Sequence, residues 1–425
     1  MQPAVLIRLR PTGPWRFGPA DGARDRTDTL YSNDRLYSAV TLAMQRLGLL
    51  EEWLDATART RRPAVAFTSC FPFQGDTHFI APPCNVWPPP AALVSAPNPV
   101  FLAKIRWSAA RFVPVAVIES ILSGQPVLAD QWLPDAESGC LLRRDRPSFS
   151  PFRTVVRSQA AVDRIGRSAA LVHTLACVEF ESNSGLWCLA RYADTAAESA
   201  WGDRILAAFR LLADSGFGGR RSSGWGLSEA PVFQRGIWPN ILLPKLARIL
   251  RNGGSSSFEN GHASNYWLLS LYSPGQADVI DWTGGDYRVA VRAGRIESAL
   301  NSGAQKKSVR MLVEGSIVAA VEEPVGAPVD VAPDGFTHPV YRSGFCIALK
   351  LPEPSADAAE LAPVEMPTDP DAPEPRPCNE PQPAPPLAEI PEQAPSGDDI
   401  ASERELSPPE GVESKPEPSE PADEL

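Results

Sequence analysis

The sequence has no C-x-x-C pair, and its seven cysteines lie scattered at positions 70, 84, 140, 177, 188, 346 and 378. An odd, dispersed set argues against a disulfide framework. Cys70, His78 and Cys84 lie close together but lack an evident fourth ligand, which argues against zinc. Histidine is scarce, with four residues at 78, 173, 262 and 338. No apolar run approaches the ~20 residues that span a bilayer. Arg8, Arg10 and Pro11 interrupt any signal-peptide core. A nucleotide-cofactor fingerprint is missing too. No G-x-x-x-x-G-K-[ST] occurs, and the one glycine-rich stretch has Arg221 where the third glycine of G-x-G-x-x-G would stand. These absences predict a soluble cytoplasmic protein without a cofactor or a metal.

Aromatic residues are absent from Pro352 onward, a segment that holds 19 of the 45 prolines. It also holds 20 of the 51 acidic residues and 3 of the 40 basic ones, a net charge of −17. What remains, residues 1–351, carries 31 acids and 37 bases, a net of +6. A segment of that composition cannot bury enough apolar surface to offset its ordering entropy, so residues 352–425 are expected to be a disordered acidic tail. The body is mildly basic, which suits a polyanionic partner.

The most informative segment runs from Asp214 to Leu227 and holds Gly216, Gly218, Gly219, Gly224 and Gly226. Between the glycines stand Arg220, Arg221, Ser222 and Ser223, with Trp225 near the end. Glycines allow positive φ and close backbone approach, so successive N–H groups can converge on an anion. The guanidinium groups suit phosphate, the hydroxyls add donors, and the tryptophan offers a face for a base. Polymeric phosphate is the expected ligand.

Ala4–Leu9 reads as a strand. A helix with Ser32 or Asn33 as its cap follows, its apolar positions being Leu36, Val40, Ala43, Met44 and Leu47. Residues 50–170 read as an elaborate insertion, within which Pro114 opens a short helix to Leu122. Leu171–Phe180 and Leu186–Tyr192 read as a strand pair joined by the turn at 181–185. A helix over 198–213 precedes the glycine-rich loop, and a strand near Pro231–Gln234 closes the set. The order strand, helix, strand, strand, helix, strand is the ferredoxin-like plan. Further strands are expected at Tyr266–Tyr272, Tyr287–Arg292, Gly315–Val321 and Tyr341–Leu351. The expected fold class is therefore α+β, with domains at 1–240 (insertion at about 50–170) and 260–351, then the tail.

Several ordered motifs also resemble a known family. Arg10-Pro-Thr-Gly-Pro-Trp-Arg-Phe-Gly18 followed by Ser32-Asn-Asp-Arg-Leu-Tyr-Ser-Ala39 resembles the opening of the fourth-subunit family of the type III-A Csm effector complex, within the RAMP superfamily of CRISPR-Cas proteins. The glycine-rich loop matches the RAMP hallmark. Trp267-Leu-Leu-Ser-Leu271, Ala290-Val-Arg-Ala-Gly-Arg295, Val313-Glu-Gly-Ser-Ile317 and His338-Pro-Val-Tyr-Arg-Ser-Gly344 agree as well. The resemblance implies two ferredoxin-like (RRM-like) RAMP domains and a non-catalytic subunit that caps the repeat-derived 5′ tag of crRNA. Its partners would be the large signalling subunit on one side and a backbone RAMP subunit on the other. It further implies a β-hairpin thumb around Phe152–Arg167. There Arg153, Arg157, Arg164 and Arg167 interleave with Val155, Val156, Val162 and Ile165, arginines for phosphates and apolar tips for bases.

The alternative is a crRNA-processing RAMP endoribonuclease. Metal-free cleavage wants a general base, most often histidine, beside a cation. No histidine is near the glycine-rich loop in sequence, and His173, in the apolar stretch Leu171–Phe180, reads as a core residue.

Overall fold

The computed structural model describes residues 2–19, 22–95, 100–145, 149–161, 171–252, 263–296 and 303–352. Arg164, Arg167 and the acidic tail lie outside them. Strand β1 (Gln2–Leu9) is buried on both faces, as its run of apolar residues demands. It lies between β8 (Ser184–Tyr192) and β9 (Val232–Trp238), antiparallel to both. The far edge of β8 pairs with two short strands, β2 (Val65–Phe67) and β3 (Phe71–Gln74). Beyond β3 come β4 (Thr77–Ile80) and β5 (Val113–Pro114), so the sheet runs β9-β1-β8-β3-β4-β5.

Helices α1 (Asn33–Arg46) and α4 (Thr195–Ser215) pack on each other, and α4 also packs on β1 and β8. The expected face of α1 (Leu36, Val40, Ala43, Met44) is buried, and Gly48 at φ 75° follows its last turn. Helix α4 starts earlier than its periodicity predicts because Asp194 caps it, accepting from the Ala197 N–H at 2.8 Å. It buries Trp201, Ile205, Ala208, Phe209 and Leu212, and the helix α2 (Leu50–Thr57) sets Trp53 edge-on to Trp201 at 5.3 Å. The short helix α3 (Val115–Leu122) forms as the proline predicts.

The expected pairing of Leu171–Phe180 with Leu186–Tyr192 is not found. Leu171–Phe180 is β7 of a separate two-stranded hairpin with β6 (Phe152–Ala161), in register from Phe152↔Phe180 to Ala161↔Leu171. The reason lies in burial. All nine residues of β8 are buried, so both of its edges take core strands, whereas Val172 and Thr174 of β7 stand exposed. The place expected for β7 beside β8 is filled by β2 and β3, from a region read as insertion. Residues 65–80 are thus part of the main sheet.

The second strand set forms a sheet in the order β11-β14-β10-β15, all antiparallel: β10 (Ser264–Leu268), β11 (Ile280–Asp286), β14 (Ile317–Ala320) and β15 (Ala348–Lys350). Beside it β12 (Val289–Arg292) pairs with β13 (Val309–Leu312). Among the described residues of 263–352 no helix occurs, so the helical part of the expected second α+β domain is not seen there. Trp267, Leu269, Ile317, Ile347 and Leu349 join the same apolar core as β1 and β8. The described residues form one compact unit. Among the described residues no helix is long and apolar enough to cross a membrane.

Candidate nucleic-acid interface

The glycine-rich loop leaves α4 at Gly216, whose φ of 90° turns the chain out of the helix. Its geometry is set from below by Phe217, fully buried, stacked on Trp15 with centroids 5.0 Å apart and planes 15° apart. Gly226, at φ 83°, lets the returning strand close over Phe217. A Cβ at Gly226 would stand 2.0 Å from the Phe217 carbonyl oxygen.

Seven of the loop N–H groups are taken up by backbone carbonyls. Those of Gly216, Phe217, Gly219, Ser223, Gly224, Trp225 and Gly226 donate to carbonyls of Leu212, Gly226, Arg16, Arg220, Arg221, Arg220 and Pro14 in turn. These bonds fasten the loop to itself and to Pro14–Arg16. Trp225 departs from its expected stacking role. Its ring is 6% exposed and packs with Leu175 and Cys177 of β7, which makes it an anchor for the hairpin rather than a platform for a base.

What the loop does present is cationic. Arg46, at the end of α1, joins Gly218, Gly219, Arg220, Arg221 and Ser222 around an open groove of about 530 Å³. Arg16 lies beneath, 8% exposed, donating to the carbonyls of Ala176 (2.5 Å), Ala23 (2.7 Å) and Arg24 (3.0 Å). Burial, and then the charge of Arg220, pull its pKa down. Among the described residues no carboxylate stands within salt-bridge reach of Arg16 or Arg220. Asp25 acts on Arg16 only from beyond salt-bridge distance, and partly buried cations without a contacting anion are unfavourable, so an arriving phosphate would relieve them.

The hairpin and the loop meet. Arg220 Nη2 donates to Gln159 Oε1 at 2.6 Å and lies 3.1 Å from His173 Nε2. The reading of His173 as a core residue is therefore corrected. It is half-buried and touches the loop that sequence distance seemed to separate it from. Arg153 and Arg157, also expected at the interface, share one carboxylate. Arg157 Nε donates to Glu179 Oε1 at 2.9 Å, and Arg153 Nη2 reaches Glu179 Oε2 at 3.4 Å. That face of the hairpin keeps a single net positive charge from the three. Sequence reasoning missed Arg16, Arg46, Gln159 and His173 as members of this surface. Arg16 belongs to the N-terminal Arg10–Gly18 motif, but nothing in the sequence signals its place under the loop.

Ser32 also departs from expectation. It occupies the position before α1 but makes no side-chain cap. Its hydroxyl donates to Asp34 Oδ1 at 2.5 Å. Asp34 is buried between Arg292 (Oδ1···Nη2 3.0 Å) and Arg342, while Asn33 bonds the backbone of Leu271 (2.9 Å) and Phe345 (3.1 Å). The motif ties α1 to the second strand set. Among the described residues no group of His, Cys, Asp and Glu could hold a metal ion.

Residues 261–351 match the family model described as the CRISPR Csm4 C-terminal domain. A curated relative, the CRISPR system Cms protein Csm4 of Thermococcus onnurineus (strain NA1), is 24% identical over 267 residues, covering 59% of this chain and 80% of the relative. A chain of the Csm3-Csm4 subcomplex in the type III-A CRISPR-Cas interference complex superposes with a TM-score of 0.54 at 14% identity, over 82% of this chain and 100% of that one. One from the Csm1-Csm4 cassette in complex with cA4 aligns with a TM-score of 0.48 at 17% identity, over 83% of this chain and 99% of that one. These matches make the chain similar to Csm4, in sequence most clearly over residues 261–351 and in fold to the chain of the Csm3-Csm4 subcomplex.

Proposed function

We propose that this protein is a non-catalytic, cytoplasmic subunit of a type III CRISPR effector complex that holds the 5′ tag of crRNA, in defence against viruses and plasmids. The observation that carries the RNA-binding reading is the pair Arg16 and Arg220. Arg220 is close enough for its charge to depress the pKa of Arg16, and no carboxylate among the described residues is in salt-bridge reach of either. Arg46 and Arg221 line the groove above. A phosphate backbone supplies the missing negative charge. Gly216, Gly218, Gly219, Gly224 and Gly226 shape this grip, and Arg220, Arg221, Ser222 and Ser223 make it, with Arg153, Arg157, Arg164 and Arg167 of the hairpin beside it. Trp225 takes part as the anchor between loop and hairpin.

The backbone RAMP partner is proposed because the similar chain lies in a Csm3-Csm4 subcomplex. The large signalling subunit as the other neighbour follows from the family resemblance. The sheet order β9-β1-β8-β3, flanked by α1 and α4, supports a ferredoxin-like arrangement for residues 1–240, with the β6–β7 hairpin as the thumb. A second domain at 260–351 and a disordered tail at 352–425 complete the proposed organisation.

The contact between His173 and Arg220 puts an imidazole beside a cation, the pairing that an endoribonuclease would need. The same contact argues against that activity. A guanidinium only donates, so Nε2 already accepts a hydrogen bond and is not open to take a proton from a 2′-hydroxyl. The test is purification of the tagged protein from its native host with sequencing of bound RNA. Recovery of crRNA sharing one 5′ tag, together with the large and backbone subunits, is expected. A preparation free of RNA and of both subunits overturns the proposal.

A further inference from the structure

We infer that Gln159 and His173 are positioning residues for Arg220, taking both hydrogens of its Nη2 and leaving Nε and Nη1 for the groove ligand. This rests on the RNA-binding reading above. Gln159 and His173 stand directly opposite each other in the β6–β7 ladder, so their side chains are neighbours on one face of the hairpin. They reach the same nitrogen of Arg220 at 2.6 and 3.1 Å, from 61 and 47 residues away in sequence.

Three physical points support the assignment. First, Arg220 has φ 65° and ψ 27°, a left-handed conformation that a non-glycine residue adopts only when its surroundings hold it there. Second, a guanidinium has five N–H donors and no acceptor, so His173 must present the lone pair of Nε2 and carry its proton on Nδ1. Gln159 must likewise present its carbonyl oxygen. Third, the two-point grips of a guanidinium on an oxyanion use one hydrogen of Nη2 together with Nε or Nη1. With Nη2 occupied, Arg220 offers its charge and single N–H bonds, in a direction fixed by the hairpin. The charged neighbours are Arg16, whose charge couples to Arg220, and further along the same hairpin face Arg157, Arg153 and Glu179. Trp225, packed on Leu175 and Cys177, clamps the two segments next to this contact. The hairpin therefore sets the grip of the loop, and loss of its acceptors leaves the charge in place but its direction free.

The experiment measures binding of a fluorescein-labelled single-stranded RNA to the full chain by anisotropy over a salt series. His173→Ala should weaken binding about three- to tenfold, the loss expected for one ordinary intramolecular hydrogen bond. Its salt dependence should match that of the wild type, because no charge is removed. His173→Gln, which returns an acceptor near the Nε2 position, should recover affinity to within about twofold. Arg220→Ala should lower both affinity and salt slope, and the double variant His173→Ala/Arg220→Ala should bind no more weakly than Arg220→Ala alone. Additive losses in the double variant, or a His173→Gln protein as weak as His173→Ala, overturn the assignment. The wild type, the two single alanine variants and the double variant are also compared by thermal denaturation without RNA, where His173 and Arg220 should act non-additively. Additivity there overturns the positioning role whatever the RNA result. By contrast, an Arg220→Ala protein with wild-type affinity and slope overturns the RNA-binding reading itself.

Discussion

Asp34 Oδ1 lies 3.0 Å from Arg292 Nη2, an ion pair that joins the start of α1 to a strand 258 residues later, with Arg342 on the other carboxylate oxygen. Burial alone would raise the Asp34 carboxyl. The charges of Arg292, Arg342 and Arg35 and the Ser32 hydroxyl outweigh it and hold the group well below the usual carboxylate range. Removing one partner of such a pair leaves uncompensated buried charge, so Asp34→Asn should lower unfolding stability by about 3–5 kcal/mol. The pH sign follows from a depressed folded pKa. The contribution is fully present above the unfolded aspartate value of about 3.9 and is lost as pH falls below it. The stability difference between wild type and Asp34→Asn in urea melts should be flat from neutral pH to about pH 5 and shrink towards more acid conditions.

Glu314, in the same buried cluster, should behave with the opposite sign. Burial raises its pKa, and the hydrogen bond from the Ser69 hydroxyl offsets this only in part. A raised folded value means that stability is highest below the unfolded glutamate pKa and declines as pH rises through the folded one. Glu314→Gln keeps an acceptor for Ser69 without the charge. It should match the wild type near pH 4 and be the more stable of the two at alkaline pH, by urea denaturation at both. A variant less stable than wild type at every pH would show that the ionised carboxylate is needed where it is.

The loop glycines should separate by space. Gly226 and Gly224 both have positive φ, 83° and 75°, but a Cβ at Gly226 meets the Phe217 carbonyl oxygen at 2.0 Å whereas one at Gly224 meets nothing within 4 Å. Gly224→Ala should cost about 1 kcal/mol, the penalty of a left-handed alanine. Gly226→Ala must also push Phe217 off Trp15, so it should cost several times more and broaden the thermal unfolding transition. Equal melting temperatures for the two variants would sink this account.

The parts of the fold legible in the sequence are those governed by local periodicity. The buried faces of α1 and α4 and the doubly buried β1 follow from residue spacing. Strands β2 and β3, three and four residues long, carry too little pattern to be told from irregular chain, so residue spacing alone puts β7 in their place. Pairings across long stretches of chain leave no local trace. Asn33 with Leu271 and Phe345 is one, and His173 with Arg220 is another. Trp225 is ambiguous for a different reason. A tryptophan in a glycine-rich loop satisfies a stacking role and an anchoring role equally, and only the apolar partners Leu175 and Cys177 decide between them.

The loop arginines and the hairpin arginines should differ in how they respond to salt. Arg220 has no carboxylate partner among the described residues, and Arg221 and Arg46 line the same groove. Each phosphate contact to single-stranded RNA contributes roughly 0.7 to the slope of log affinity against log salt. Arg220→Ala/Arg221→Ala should therefore weaken binding and lower that slope by about 1.4 at most. Arg153 and Arg157 are held by Glu179, so an RNA phosphate must compete with that carboxylate for them. Their double replacement by Ala should change the slope less than the loop pair does. Glu179→Gln, which frees both, should tighten binding and steepen the slope. Titration of labelled single-stranded RNA at several salt concentrations reads all three. Wild-type affinity and slope in the loop double variant would remove the glycine-rich loop from the RNA site, and weaker binding by Glu179→Gln would show that the pairing with Glu179 serves to aim the hairpin arginines rather than to restrain them.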